Sequence, residues 1–194
     1  MYEWSEQVGF HPWVGKNYEN APRKILLLGD SHYGDEADTD FTQNVIKHQI
    51  FEQKKRMRFF TCIIWTVFGN SDDIEDKFSM ITFYNYVQTL MSASRLRPSD
   101  SDYKTAQKPF IEVLQKLLPD MVVTFGDAMT FHFPCIAEEN AWGKDTVDEY
   151  PDVQLNNFII RNRSIPVYSL PHPSGGKFNM RIYYQYFLGR GLTL

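Results

Sequence analysis

The chain has 194 residues, of which 43% are hydrophobic and 15% aromatic, with a formal net charge of -4. This length suffices for one compact domain and is short for two, so we predict a single domain over 1–194 with an irregular lead-in at 1–23. The acidic balance argues against a protein coated in positive potential that binds nucleic acid nonspecifically. The basic run "KKRMR" at 54–58 is interpreted as a solvated helix end, and a local basic patch stays an open alternative.

The beginning of the chain lacks the basic start, apolar run and small-residue cleavage site of a secretory signal. No stretch reaches the roughly 18 apolar residues of a membrane span. We therefore expect a cytoplasmic monomer without membrane contacts. Cys62 and Cys135 lie outside any CxxC motif or Cys/His cluster, which predicts reduced, buried thiols rather than a disulfide or a metal site.

Apolar runs and amphipathic segments alternate along the chain. The predicted strands are "KILLLG" at 24–29, "SMITFYNYVQ" at 79–88, "MVVTFG" at 121–126 and two runs within "FIIRNRSIPVYSLPHP" at 158–173. The predicted helical segments are "DFTQNVIKHQIFEQKK" at 40–55 with Asp40 as its cap, "RFFTCIIWTVFG" at 58–69, "KPFIEVLQKLL" at 108–118 and "GKFNMRIYYQYFLGR" at 176–190. The stretch "SRLRPSDSDY" at 94–103 is predicted to be a loop because it is rich in Pro, Ser and Asp.

This alternation predicts an α/β sandwich around a mostly parallel sheet. Sites in such sheets form at the carboxyl ends of the strands. Three polar clusters follow predicted strands, and we expect them to share one crevice. They are "GDSHYG" at 29–34, Asn85, and "PHPSGG" at 171–176.

One interpretation of these clusters is a serine esterase of the GDSL type. "GDS" after an early buried strand resembles the first block of that family, which would make Ser31 the nucleophile and His172 its base. Two features depart from the family. Ser169 stands where the Asp of its Asp-x-x-His block belongs, and its Gly-x-Asn-Asp block is absent.

The second interpretation starts from "LPHPSGG" at 170–176, which resembles the His-Pro-Ser motif of the uracil-DNA glycosylase superfamily. "LLLGDSHYG" at 26–34 resembles the first motif of that superfamily, and "SMITFYNYVQ" occupies the place of its strand with a base-reading Asn. The resemblance covers roughly residues 22–190. It implies a three-layer α/β/α sandwich with about four core strands. It also implies a DNA partner and removal of uracil or a damaged base by water, without a metal or cofactor.

The resemblance also implies roles for individual residues. His172 would hydrogen-bond the base oxygen, Asn85 would read the pyrimidine, and Tyr33 would wall the pocket and exclude the thymine methyl. An aromatic face from Tyr33 or Phe41 would hold the base. Ser174, Gly175 and Gly176 would approach the phosphate backbone.

The first motif departs from the best-known branch, whose loop runs Gly-Gln-Asp-Pro-Tyr. Aligning its Gly with Gly29 and its Tyr with Tyr33 puts Ser31 at the position of the catalytic carboxylate, Asp30 on the Gln and His32 on the Pro. Asp30 is then the available carboxylate, because other branches carry an acidic residue directly after that Gly. We predict Asp30, His172 and Ser31 as the catalytic set, with Gly29 and His32 in the substrate-binding loop. The alternative on the same fold is a catalytically silent protein that binds nucleic acid or a nucleotide.

Overall fold

The computed structural model describes residues 2–93, 96–134 and 153–194. Its strands are β1 (Trp13–Val14), β2 (Ile25–Gly29), β3 (Thr82–Asn85), β4 (Met121–Phe125), β5 (Gln154–Ile160) and β6 (Arg163–Leu170). They form one six-stranded sheet in the order β1-β3-β2-β4-β6-β5. Strands β3, β2, β4 and β6 are parallel, whereas β1 and β5 are antiparallel to their neighbours at the two edges.

The described α-helices are α1 (Phe41–Asn44), α2 (Arg58–Phe68), α3 (Ile74–Met80), α4 (Asp100–Thr105), α5 (Gln107–Leu117) and α6 (Met180–Gly189). A π-helix, Val45–Glu52, continues α1, and short 3-10 helices cover Tyr18–Asn20 and Ala128–His132. Among the described residues, none of these helices is both long enough and apolar enough to cross a membrane.

The central strand β2 is buried along its whole length, and its side chains alternate between two hydrophobic cores. Leu26 and Leu28 belong to the core that contains α5, whereas Ile25 and Leu27 belong to the core that contains α2, α3 and α6. Helices on both faces explain why this strand is a continuous apolar run. The predicted three-layer α/β/α sandwich with a mostly parallel sheet is confirmed.

The edges of the sheet differ from the prediction. Four parallel strands form its centre, and antiparallel strands at both edges bring the total to six. The strand β5 belongs to the region predicted at 158–173 but begins earlier, at Gln154. The strand β1 lies in the lead-in predicted to be irregular, and its two residues are too few to show a periodic pattern.

Two helices lie where the sequence predicts other structure. Helix α3 includes the first two residues of the strand predicted at 79–88. Helix α4 lies partly in the predicted loop at 94–103, where Ser99 Oγ accepts a hydrogen bond from the Asp102 backbone N–H and Asp102 Oδ2 accepts one from the Ser99 N–H. The Ser and Asp residues that indicated a loop therefore form a capping box.

The helix predicted at 40–55 is split into α1 and the π-helix. Asp40 directly precedes α1, but its side chain makes no capping hydrogen bond. Its Oδ1 instead lies 3.4 Å from His11 Nδ1. Cys62 is buried and free, as predicted, and Cys135 lies outside the described residues.

Candidate functional site

Polar loops leave the carboxyl ends of the parallel strands at one edge of the sheet. Gly29, the last residue of β2, is paired in register with Asn85, the last residue of β3, and Phe125 of β4 is paired with Leu170 of β6. The loops that carry residues 30–34 and 171–176 therefore begin at the same edge.

These loops surround a cavity of about 360 Å³, which we call the strand-end cavity. Seven predicted site residues line it: Asp30, Ser31, His32, Tyr33, Phe41, Asn85 and His172. The other lining residues are Val45, Gln49, Met57, Phe59, Phe60 and Phe83. The structure thus brings together the first loop, the end of β3 and the last loop, and three of the six added lining residues are phenylalanines.

Asp30 lines this cavity and is partly buried. Its Oδ2 accepts a hydrogen bond of 3.2 Å from the Tyr103 hydroxyl, whereas its buried Oδ1 has no partner among the described residues. Burial raises the pKa of Asp30, while the Tyr103 hydrogen bond and the charge of Arg97 act in the opposite direction. An ionised carboxylate with one unpaired oxygen is equipped to accept a proton.

Removing the Tyr103 hydroxyl should change the pKa of Asp30. The hydroxyl hydrogen-bonds the charged form, so Tyr103→Phe should raise the pKa of Asp30 further above that of an ordinary aspartate. The ring itself stacks on His132, with 4.6 Å between centroids, and this contact is retained by Phe. Carboxyl NMR titration of both proteins measures the shift, and an unchanged or lower pKa in the variant would contradict the assigned contact.

His172 is held as a neutral imidazole whose Nε2 makes no hydrogen bond within the described part of the chain. Its Nδ1 accepts a 3.1 Å hydrogen bond from the Ser174 backbone N–H and lies 2.7 Å from Ser174 Oγ. Burial lowers the pKa of His172. The ring is stacked on Phe59 at 5.5 Å, with 26° between their planes. With Nδ1 occupied as an acceptor, the proton lies on Nε2, which is available as a hydrogen-bond donor.

His32 and Asn85 form a buried hydrogen-bonded pair. The Asn85 amide nitrogen lies 3.0 Å from His32 Nδ1, and His32 Nε2 lies 2.8 Å from Thr42 Oγ1. Burial lowers the pKa of His32 to about 3, so its ring is neutral. With the amide as donor, Nδ1 is the acceptor and Nε2–H donates to Thr42. His32 thereby orients the Asn85 amide within the cavity wall.

Gly29 accommodates that amide. A Cβ atom at this position would collide with Asn85 Oδ1. The end of β2 therefore requires a residue without a side chain. Gly29 leaves room for the Asn85 amide beside the cavity. Its predicted place in the substrate-binding loop stays a prediction.

Ser31 lines the cavity, but it is not hydrogen-bonded to a base among the described residues. Its Oγ is buried and has no hydrogen-bond partner among residues 2–93, 96–134 and 153–194. The nitrogens of His32 and the Nδ1 of His172 are engaged by other residues. The hydrogen-bonded Ser–His pair that the esterase interpretation requires is therefore not formed in the described structure.

The remaining predicted residues occupy two different places. The Tyr33 side chain is 40% exposed, so it lies at the rim of the cavity, whereas Phe41 packs edge-on against His32 with 4.9 Å between ring centroids. Ser174 and Gly175 stand behind His172, where the Gly175 N–H donates to the His172 carbonyl at 2.8 Å. The structure assigns these two residues a role in shaping the last loop, and their predicted approach to phosphate stays a prediction.

Several residues that line the strand-end cavity were not predicted from the sequence. Phe83 could be found, because it is two positions before Asn85 on β3 and so faces the same side of the sheet. Met57 and Phe59 line the cavity from the start of α2, and Tyr103 contacts Asp30 from within α4. The sequence of neither helix has a pattern that indicates the cavity. The described residues contain no group of three or more His, Cys, Asp or Glu side chains suited to a metal ion.

Comparison with known proteins adds little to this description. No protein-family profile and no curated protein sequence matches the chain. Among solved structures, the chain is similar to the tungsten cofactor synthesizing protein MoaB from Pyrococcus furiosus, with 12% identity, a TM-score of 0.44, and coverage of 87% of this chain and 92% of that chain. It is also similar to a domain of unknown function (DUF1537) from Bordetella bronchiseptica, with 12% identity and a TM-score of 0.38. This likeness covers 84% of this chain and 40% of that chain. Neither likeness assigns a family or an activity to this chain, and the resemblance to uracil-DNA glycosylases depends on the sequence motifs alone.

Proposed function

We propose that the protein hydrolyses the N-glycosidic bond of uracil or a damaged base in DNA. The observation that carries this proposal is that Asp30, with an unpaired carboxylate oxygen, and neutral His172 line the same cavity. Departure of a base from deoxyribose creates positive charge on the sugar and negative charge on the base. A carboxylate and a hydrogen-bond donor stabilise these two charges.

The walls of the strand-end cavity suit a planar base. Phe41, Phe59, Phe60 and Phe83 supply aromatic surface, and Tyr33 lies at the rim. A base that leaves the stack of DNA is held by such faces and is read on its edge by an amide. In this proposal the Asn85 amide, oriented by His32, reads the edge of the base, and the His32 contact supports that role.

The proposed reaction uses water as the second substrate. Asp30 accepts a proton from water, and the water oxygen forms a bond to the sugar C1′ as the bond from C1′ to the base nitrogen breaks. The bonding electron pair moves onto the base, where the Nε2–H of His172 donates a hydrogen bond to the base oxygen. Asp30 returns its proton through solvent and the departing base anion takes one up, so the products are the neutral free base and an abasic site. No cofactor takes part in these steps.

The direct test is incubation with single- and double-stranded DNA that contains one uracil, hypoxanthine or mismatch, followed by alkaline cleavage at abasic sites. We expect cleavage at the modified position and none in unmodified DNA. Release of base by the wild type and not by a protein that carries both Asp30→Asn and His172→Ala would support the proposal. Equal release by both proteins would overturn it.

A catalytically silent binding protein is the second candidate. It is favoured by Ser31, which stands at the motif position of the catalytic carboxylate. This candidate predicts that uracil-containing DNA binds without forming abasic sites. Hydrolysis of p-nitrophenyl acetate that is lost in Ser31→Ala would instead favour the esterase, although Ser31 Oγ has no hydrogen-bonded base among the described residues.

A further inference from the structure

A second cavity, which we call the arginine cavity, lies beside the start of α2. It has a volume of about 470 Å³. Arg56, Arg58, Thr61 and Asn179 supply its polar groups, and Phe178 and Met180 are among its apolar walls. No acidic residue is among its lining residues in the part of the chain that the structure describes. Its charge is therefore positive, even though the net charge of the whole chain is -4.

The two cavities share one short segment of chain as a wall. Met57 and Phe59 line the strand-end cavity, whereas Arg56 and Arg58 line the arginine cavity. Residues 56–59 thus contribute to the lining of both cavities, and Arg56 and Met57 also line a third, larger cavity. A ligand that fills both would place an apolar, planar part against Phe59 and an anionic part against the two arginines.

The two guanidinium groups form no ion pair with the described residues. Within 2–93, 96–134 and 153–194, no carboxylate lies within 4.0 Å of Arg56 or Arg58. Both side chains are exposed. Arginine binds phosphate through paired N–H donors, and unpaired arginines keep these donors available to a ligand.

A neighbouring, larger cavity of about 790 Å³ is less suited to an anion. Its basic residues, Lys16, Lys54, Lys55 and Arg56, face a wall of four acidic residues, Asp72, Asp73, Glu75 and Asp76. A phosphate in that cavity would meet as many carboxylates as cations. Arg56 lines this larger cavity as well as the arginine cavity, whereas Arg58 lines the arginine cavity and not the larger one.

We infer that the arginine cavity is a phosphate-binding subsite for the nucleotide whose base occupies the strand-end cavity. This inference rests on the proposed function, because it takes the occupant of the strand-end cavity to be a base. The phosphate belongs either to a DNA strand or to a free nucleotide. Both present the same anionic oxygens to Arg56 and Arg58.

The test compares wild type, Arg56→Gln/Arg58→Gln and Arg161→Gln. Arg161 is a matched control because it is an exposed arginine in the hairpin between β5 and β6, at the opposite edge of the sheet from the strand-end cavity. The probes are deoxyuridine, dUMP and a single-stranded oligonucleotide with one uracil, each titrated at several salt concentrations. We expect the double variant to bind a phosphate-bearing probe about tenfold more weakly per lost arginine. Its logarithmic salt dependence on the oligonucleotide should be smaller by about one for each lost contact.

The probes separate the two sources of phosphate. Weaker binding of dUMP but unchanged binding of deoxyuridine assigns the subsite to a free nucleotide. A loss confined to the oligonucleotide assigns it to a DNA strand. The inference is overturned if the double variant binds every probe as Arg161→Gln does, or if wild type binds none of them.

Base release from the same oligonucleotide keeps the two proposals apart. Weaker oligonucleotide binding by the double variant, with no base release by wild type, would retain the phosphate subsite and reject the glycosylase. Base release by wild type, with unchanged binding by the double variant, would support the glycosylase and reject the phosphate subsite.

Discussion

Asp30→Asn should lower the rate of uracil release from single-stranded DNA by about 10²- to 10⁴-fold, the usual contribution of a general base. The substitution keeps the shape of the side chain and an oxygen that can accept the Tyr103 hydrogen bond. It removes the negative charge that, in the proposed reaction, accepts the proton of water and faces the positive sugar. Single-turnover kinetics at saturating protein measures the loss without interference from product release.

Thermal unfolding distinguishes a catalytic role of Asp30 from a structural one. Burial raises the pKa of Asp30, so its ionised form destabilises the folded protein at neutral pH. Asp30→Asn should therefore increase the Tm at pH 7. This increase in Tm should become smaller as the pH falls from the pKa of Asp30 in the folded state to its lower pKa in the unfolded state. The Asp30 carboxyl of the wild type is then neutral in both states. A variant with a normal rate of base release, or with a Tm that falls at pH 7, would contradict this account.

Several residues of the strand-end cavity could be predicted from the sequence, because the carboxyl ends of parallel strands lie at one edge of the sheet. Asp30, Asn85 and His172 each follow an apolar run, and parallel strands carry their ends to one edge of the sheet. The apolar runs themselves identify strands with both faces covered, which predicts helices on both sides of the sheet. Neither step requires knowledge of side-chain contacts.

The contacts that give these residues their properties could not be predicted in this way. His32 orients Asn85 only because β3 is placed beside β2, and its Nε2 contacts Thr42 only because α1 packs over the loop. The partner of Asp30 is Tyr103, which lies 73 positions away in sequence. Such pairings depend on tertiary packing, which periodicity within one segment does not encode.

The local sequence was misleading where the same residue types are common both in loops and at the ends of helices. Ser99 and Asp102 indicate a loop by their propensity, yet the same side chains cap α4. Basic residues 54–58 indicate a solvated helix end, and they do lie exposed before and at the start of α2. The division of residues 56–59 between two cavities was not visible, because it depends on the position of Phe178 and Met180 as much as on the run itself.

His172→Ala should lower the rate of uracil release by about 10²- to 10³-fold, the usual cost of losing one donor to a developing negative charge. His172→Gln should retain part of the rate, because its amide still offers an N–H. The loss in His172→Ala should be smaller with 5-fluorouracil as the leaving base. The electron-withdrawing fluorine stabilises negative charge on that base and reduces its need for a donor. Parallel kinetics on uracil and 5-fluorouracil oligonucleotides measures this difference.

The pH dependence tests whether His172 acts in its neutral form. Burial lowers the pKa of His172, and the Ser174 N–H occupies Nδ1, so the ring has a single proton, on Nε2, throughout the neutral range. The rate should therefore rise with pH through the pKa of Asp30 and then stay level as the pH rises further. A decline over that range that disappears in His172→Gln would mean that the imidazolium is the active form. Equal rates for His172→Ala and wild type on both leaving bases would remove His172 from the reaction.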